Sequence, residues 1–101
     1  MRLHTKFIAV IFIVIFISIY LDYKRFLDTP LNINTSLIFT IDSGSSFNDL
    51  NKKLKSYHIL DKTYYFEFYA RYSGYAKKIQ SGEYQLSSGL TPIKIINIFV
   101  S

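Results

Sequence analysis

Two glutamates, two histidines and one serine-rich turn are the groups in this 101-residue chain with the plainest claim to chemistry. General acid–base work by a carboxyl group needs a raised pKa and a cleft that holds it against the atom it protonates. Neither glutamate fits: Glu67 pairs at i,i+4 with Arg71 on a solvated helix side, and Glu83 is the outward neighbour of an inward Tyr84 on a strand. His4 and His58 lack partners at ligand spacing, and the absence of cysteine excludes a thiolate site, so no metal is expected. Ser43, Ser45 and Ser46 surround Gly44 without a histidine and acid to activate them, and read as turn and cap residues. Gly74, Gly82 and Gly89 punctuate the chain without the strand–GxGxxG–helix order of a phosphate cradle. Catalytic residues: none; cofactor: none.

The element that positions everything else is the uncharged run Phe7 to Leu21. As a helix it spans about 22 Å, and extended through Leu3 and Tyr23 about 31 Å, close to the roughly 30 Å of a bilayer's hydrocarbon core. A cleaved signal peptide and a short buried helix are the competing readings. The run closes on Ser18-Ile-Tyr20 rather than on small-x-small residues, which favours an uncleaved anchor. Arg2, Lys6 and the α-amino group precede it and Lys24 and Arg25 follow, a near balance that gives the positive-inside rule a slight bias toward a cytoplasmic amino terminus. Tyr20 and Tyr23 suit the outer headgroup level. Residues 1–25 thus read as leader and anchor, and 26–35, with Asp28, Pro30 and several asparagines but no sustained period, as an extended linker.

Residues 36–101 form one small domain with a modest core and no disulfide to staple it. Ser36 to Ile41 is a strand ending in a turn. Ser46-x-x-Asp49 looks like a capping box opening a helix over 47–57, with Phe47, Leu50, Leu54 and Tyr57 on one side. Asp61 is the predicted N-cap of a second helix stopping near Gly74, with Tyr65, Phe68, Tyr69 and Tyr72 as its core-facing stripe. Gly82 to Leu86 alternates as a second strand, and Thr91-Pro92 opens a third helix. The order strand, helix, helix, strand, helix predicts an α+β fold with the two strands paired antiparallel. The net charge of +5 includes Lys52, Lys53, Lys55, Lys77 and Lys78, which suit solubility or an anionic wall or membrane surface, with no nucleic acid as partner.

The third helix is apolar on most sides. Ile93, Ile96 and Val100 make a predicted inner face, leaving Ile95, Ile98 and Phe99 to be covered, and the final carbonyls lack a programmed partner. The expectation is a chain cut before its domain boundary, or a partner that supplies the cover.

Gly44-Ser-Ser46, Leu50, Leu54, His58-Ile-Leu60, Phe66 to Arg71, Gly74, Lys78 to Leu86 and Ser88-Gly-Leu-Thr-Pro92 follow in an order that resembles the amino-terminal region of the endolytic murein transglycosylases, the YceG-like family. Gly82 to Pro92 carries the likeness most specifically, and Phe26 to Pro30 is similar to that family's linker. The resemblance implies a single transmembrane helix in a bacterial cytoplasmic (inner) membrane, then a LysM-like β-α-α-β module on the extracytoplasmic side. A larger domain, with the family's catalytic glutamate, would cut nascent peptidoglycan; nothing in this chain corresponds to it. In a LysM-like module the glycan groove lies between Asp42 to Ser46 and Tyr75 to Gly82. Ser43, Gly44, Ser45, Tyr75 and Gly82 are therefore the implied glycan-binding residues, with Tyr75 either stacked on a pyranose or plugging the core. The alternative is a stand-alone tethered module that binds peptidoglycan or wall-synthesis proteins.

Overall fold

A run of Ile, Val and Phe is a poor helix former in water, but where no water can satisfy the backbone a helix satisfies it internally, and the chain begins as a helix apolar on every side. The computed structural model describes residues 2–101, so Met1 and the α-amino group weighed above lie outside the described residues. Helix α1 runs Arg2–Asp28, about 40 Å at 1.5 Å per residue. Its large apolar side chains from Phe7 to Leu21 are exposed, and it is the one helix among the described residues long and apolar enough to cross a membrane.

The linker expected over 26–35 is shorter than that and docked: residues 29–36 have no helix or strand, but they are held against the module. α1 continues to Asp28, Leu27 is buried, and Phe26 packs against the core. The Thr29 hydroxyl donates to the Arg25 carbonyl at 2.6 Å at the helix end. Beyond it, Leu31 N–H donates to Leu90 O at 2.8 Å, Asn32 N–H to Ile59 O at 3.3 Å, and Ile33 is buried. Apolar residues between the asparagines dock this stretch, a contribution invisible to a search for periodicity.

Strands β1 (Leu37–Ile41) and β2 (Gly82–Leu86) pair antiparallel, with Phe39 opposite Tyr84 and Ile41 opposite Gly82. Phe39, Ile41 and Leu86 point into the core, while Ile38, Thr40, Glu83 and Gln85 occupy the alternate, outward positions. Helices α2 (Phe47–Ser56), α3 (Thr63–Tyr72) and α4 (Pro92–Val100) complete the expected order, with a 3-10 turn at Tyr75–Lys77. Phe47 of α2 stacks on Phe66 of α3 at 5.7 Å, and Phe39 on Phe99 of α4 at 5.8 Å. Each fully buried side chain of this kind stabilises by about 1.5–3 kcal/mol.

Local signals are realised. Ser46 Oγ accepts from Asp49 N–H at 3.1 Å while Asp49 returns a bond to Ser46 N–H at 3.1 Å, completing the capping box. Thr91 caps α4 with Pro92 at its start.

Three expectations are overturned. Asp61 does not cap α3: the N-cap is Lys62, whose ammonium has no acceptor to offer the first N–H groups and pairs instead with Asp22 of α1 at 3.1 Å. The core face of α3 is Phe66 and Ala70, whereas Phe68 and Tyr72 of the expected stripe are 57 % and 83 % exposed. Likewise α4 buries Ile95, Ile96 and Phe99, with Ile93 and Val100 half-buried. Its cover comes from within the chain: α1 and β2 pack on it, Tyr84 meets Phe99 edge-on at 5.1 Å, and Gln80 N–H donates to Phe99 O at 2.9 Å. The Gln80 side chain serves the Val100 carbonyl.

Candidate functional site

The turn after β1 bends back on itself. Ser45 N–H donates to Asp42 O at 3.1 Å, and Gly44 sits between them at φ +84°, a left-handed conformation that a side chain resists. Open space surrounds the position a Gly44 Cβ would take, so the backbone and not a close neighbour requires glycine there. Ser43, Gly44 and Ser45 are all exposed.

Because Ile41 pairs with Gly82, this turn and the start of β2 share one end of the sheet. Next to it a recess of about 160 Å³ is lined by Thr40, Asp42, Ser45, Asp49 and Lys53. The Ser46 backbone N–H and hydroxyl region hold the Asp49 carboxyl below the usual carboxylate range. Lys53 donates to the Thr40 carbonyl and lies 5.0 Å from the Phe39 ring centre, so its stem covers the core while its head serves the free edge of β1. Ile41 and Leu50 complete its lining, and two of its charged groups are already engaged within the chain, Lys53 with the Thr40 carbonyl and Asp49 with the Ser46 N–H.

The structure brings Ser43, Gly44, Ser45 and Gly82 to this end of the sheet. Tyr75 is half-buried, its ring set edge-on to Tyr69 of α3 at 6.2 Å. The connector between Tyr75 and Gly82 is tied down rather than loose: Gln80 bonds α4, and the Tyr84 hydroxyl donates to Gln80 O at 2.7 Å.

A second polar cluster escaped the sequence reading. Asp22, one residue past the apolar run, accepts from Lys62 Nζ at 3.1 Å on both oxygens and from the Tyr65 hydroxyl at 2.8 Å. That bond to a carboxylate pushes the Tyr65 phenol up to about 12. Tyr23 meets Tyr65 and Phe68 edge-on at 5.6 and 5.4 Å, and Phe26 lies 5.7 Å from Tyr65. The partners are some 40 residues apart in sequence; the only available signal was a carboxylate placed directly against an apolar span.

Neither glutamate is poised as an acid. Glu67 Oε2 accepts from Arg71 Nε at 2.9 Å on the surface, and Glu83 is exposed. No cluster of three His, Cys, Asp or Glu suited to a metal occurs among the described residues. Compared with known proteins, residues 39–101 match the YceG-like family, from within β1 through α4. No curated protein and no solved structure matches the chain.

Proposed function

The chain belongs to the YceG-like family, and on that premise we propose that it is the membrane-anchored amino-terminal portion of an endolytic murein transglycosylase, tethering a LysM-like glycan-holding module to the outer side of the bacterial cytoplasmic membrane. The observation that carries this reading is the family match over 39–101, separated by ten residues from the end of a 27-residue helix with an exposed apolar surface. The β-α-α-β order and the juxtaposition of the 42–46 turn with Gly82 support the glycan-holding part. Ser43, Ser45 and the backbone at Gly44 would bond the N-acetyl and hydroxyl groups of a strand, and Tyr75 would flank it. The chain's own contribution is to anchor and to present: Glu67 is engaged with Arg71 and Glu83 faces outward, so neither donates a proton to a leaving oxygen.

The full chain in detergent should co-sediment with insoluble peptidoglycan and should leave it undegraded. Retention should fall for Ser45→Ala combined with Gly44→Val, and a chain that sediments no better than that variant contradicts glycan holding.

A further inference from the structure

On the side of α3 turned away from the core, Phe68 and Tyr72 stack at 5.8 Å and remain largely exposed. Exposed aromatic pairs of this kind mark contact surfaces. What covers this one follows from its place beside α1. α3 runs antiparallel to the end of α1: Tyr65 meets Phe26, Phe68 meets Tyr23, and Tyr72 lines a groove of about 630 Å³ together with Phe16, Ile19 and Tyr20. Phe16 precedes Tyr23 by two helical turns, about 10 Å along the axis. If Phe7 to Leu21 lies in hydrocarbon, whatever fills the groove beside Phe16 and Tyr20 lies at lipid depth too.

We infer that the exposed side of α3, centred on Phe68 and Tyr72, is immersed in the outer interfacial layer of the bilayer that α1 crosses, and holds the module down on the lipid. This deepens the proposed function and depends on its reading of α1 as a spanning helix. Aromatic rings with polar edges are the side chains that favour this layer. Cations accompany them: Lys24 Nζ lies 5.8 Å from the Tyr20 ring centre, and exposed Lys77 and Lys78 follow the lipid-ward end of α3, where anionic headgroups would meet them. Lipid is favoured over a protein partner because the groove is continuous with the lipid-facing surface of α1 itself.

The chain contains no tryptophan, so a single substitution makes a reporter. Phe68→Trp, Tyr72→Trp, Ile13→Trp and Tyr57→Trp, each in the full chain, are reconstituted in vesicles of phosphatidylethanolamine and phosphatidylglycerol with brominated acyl chains. Ile13 reports the anchor, and Tyr57, exposed at the end of α2 and outside the groove, is the control. Tryptophan at 68 and 72 should emit to the blue and lose emission to bromine placed near the headgroups, tryptophan at 13 should lose emission to deep bromine, and tryptophan at 57 should do neither. Quenching at 13 with solvent-like emission at 68 and 72 overturns this inference and leaves the anchor standing; no quenching at 13 overturns both. A blue shift at 68 and 72 without bromine quenching, growing with protein density, assigns the surface to a second copy and also overturns it. Two reporters are used so that if one variant loses its helical circular dichroism the other decides.

Discussion

Tyr65 donates its hydroxyl to Asp22 Oδ2 at 2.8 Å, so the helix carrying the apolar span and the second helix of the folded module are joined by a half-exposed polar clasp rather than by a free tether. Lys62 completes the clasp, and the rings of Tyr23 and Phe26 flank it. Orientation of the module relative to α1 is therefore set by side chains and not left to linker entropy.

That clasp has an alkaline limit. The folded state holds the Tyr65 phenol protonated up to about 12, against an ordinary tyrosine value of about 10. The folded value is raised, so the stabilisation is fully present below about 10 and is lost as pH climbs through the folded value. Tyrosinate absorbance should show a late-titrating component that Tyr65→Phe removes. Asp22→Asn should return that component toward ordinary tyrosine; an alkaline limb unchanged by Asp22→Asn would mean that the carboxylate is not the cause.

The capping box makes the opposite prediction at acid pH. Ser46→Ala removes the hydroxyl that accepts from Asp49 N–H, and should lower stability by about 0.5–2 kcal/mol in chemical denaturation. The Asp49 carboxyl is held below its usual range by the Ser46 bonds, so its contribution is present above the unfolded value and is lost as pH falls through the folded one. Asp49→Asn should consequently flatten the acid limb of the stability profile, and a profile as steep as that of the unmutated chain would show the bond is not made.

What the sequence discloses here is what neighbours in the chain decide. Ser46 with Asp49 and Glu67 with Arg71 each state a local bond, Thr91 before Pro92 states a helix start, and each is present, Thr91 accepting from Lys94 N–H. The two strands, 40 residues apart, pair antiparallel as the element order led one to expect, although a connection of that length permits either sense. Faces of helices are another matter. In α3 the stripe Tyr65, Phe68, Tyr69, Tyr72 is more aromatic than Phe66 and Ala70, yet Phe66 has Phe47 to stack on, and the end of α1 claims Tyr65 and Phe68 instead. Asp61 has the chemistry of a cap but loses the position to Lys62, whose partner Asp22 belongs to another element. For the candidate glycan edge, the turn glycine was readable from Ser43-Gly44-Ser45; the recess beside it depends on Lys53 folding over Phe39, which no local pattern announces.

α4 provides a test of its reassigned face. Phe99 is fully buried between Phe39 and Tyr84, so Phe99→Ala should cost about 3–5 kcal/mol. That is a large share of the stability of a small domain. Asn97, exposed on the same helix, should tolerate alanine with a change within about 0.5 kcal/mol. Equal, small effects at both positions would return Phe99 to the surface and restore α4 as a docking face.

The end of α2 stores a modest strain that substitution can release. Tyr57 is its C-cap, and His58 follows at φ +58°, the left-handed position usually given to glycine. His58 N–H donates to Lys55 O at 3.0 Å and Ile59 N–H to Leu54 O at 3.1 Å, the paired bonds of a Schellman ending, with Leu54 and Ile59 both buried beneath them. A side chain in this conformation costs about 1–2 kcal/mol, while glycine adds about 0.5–1 kcal/mol of chain entropy to be lost on folding. The difference favours His58→Gly by up to about 1.5 kcal/mol, whereas His58→Val, branched at Cβ, should destabilise by more than about 1 kcal/mol. Urea titration of the full chain in detergent measures both. The sign of the pair is the test: if valine is tolerated as well as glycine, the left-handed turn is not what ends α2, and Ile59 is brought onto Leu54 by some other route.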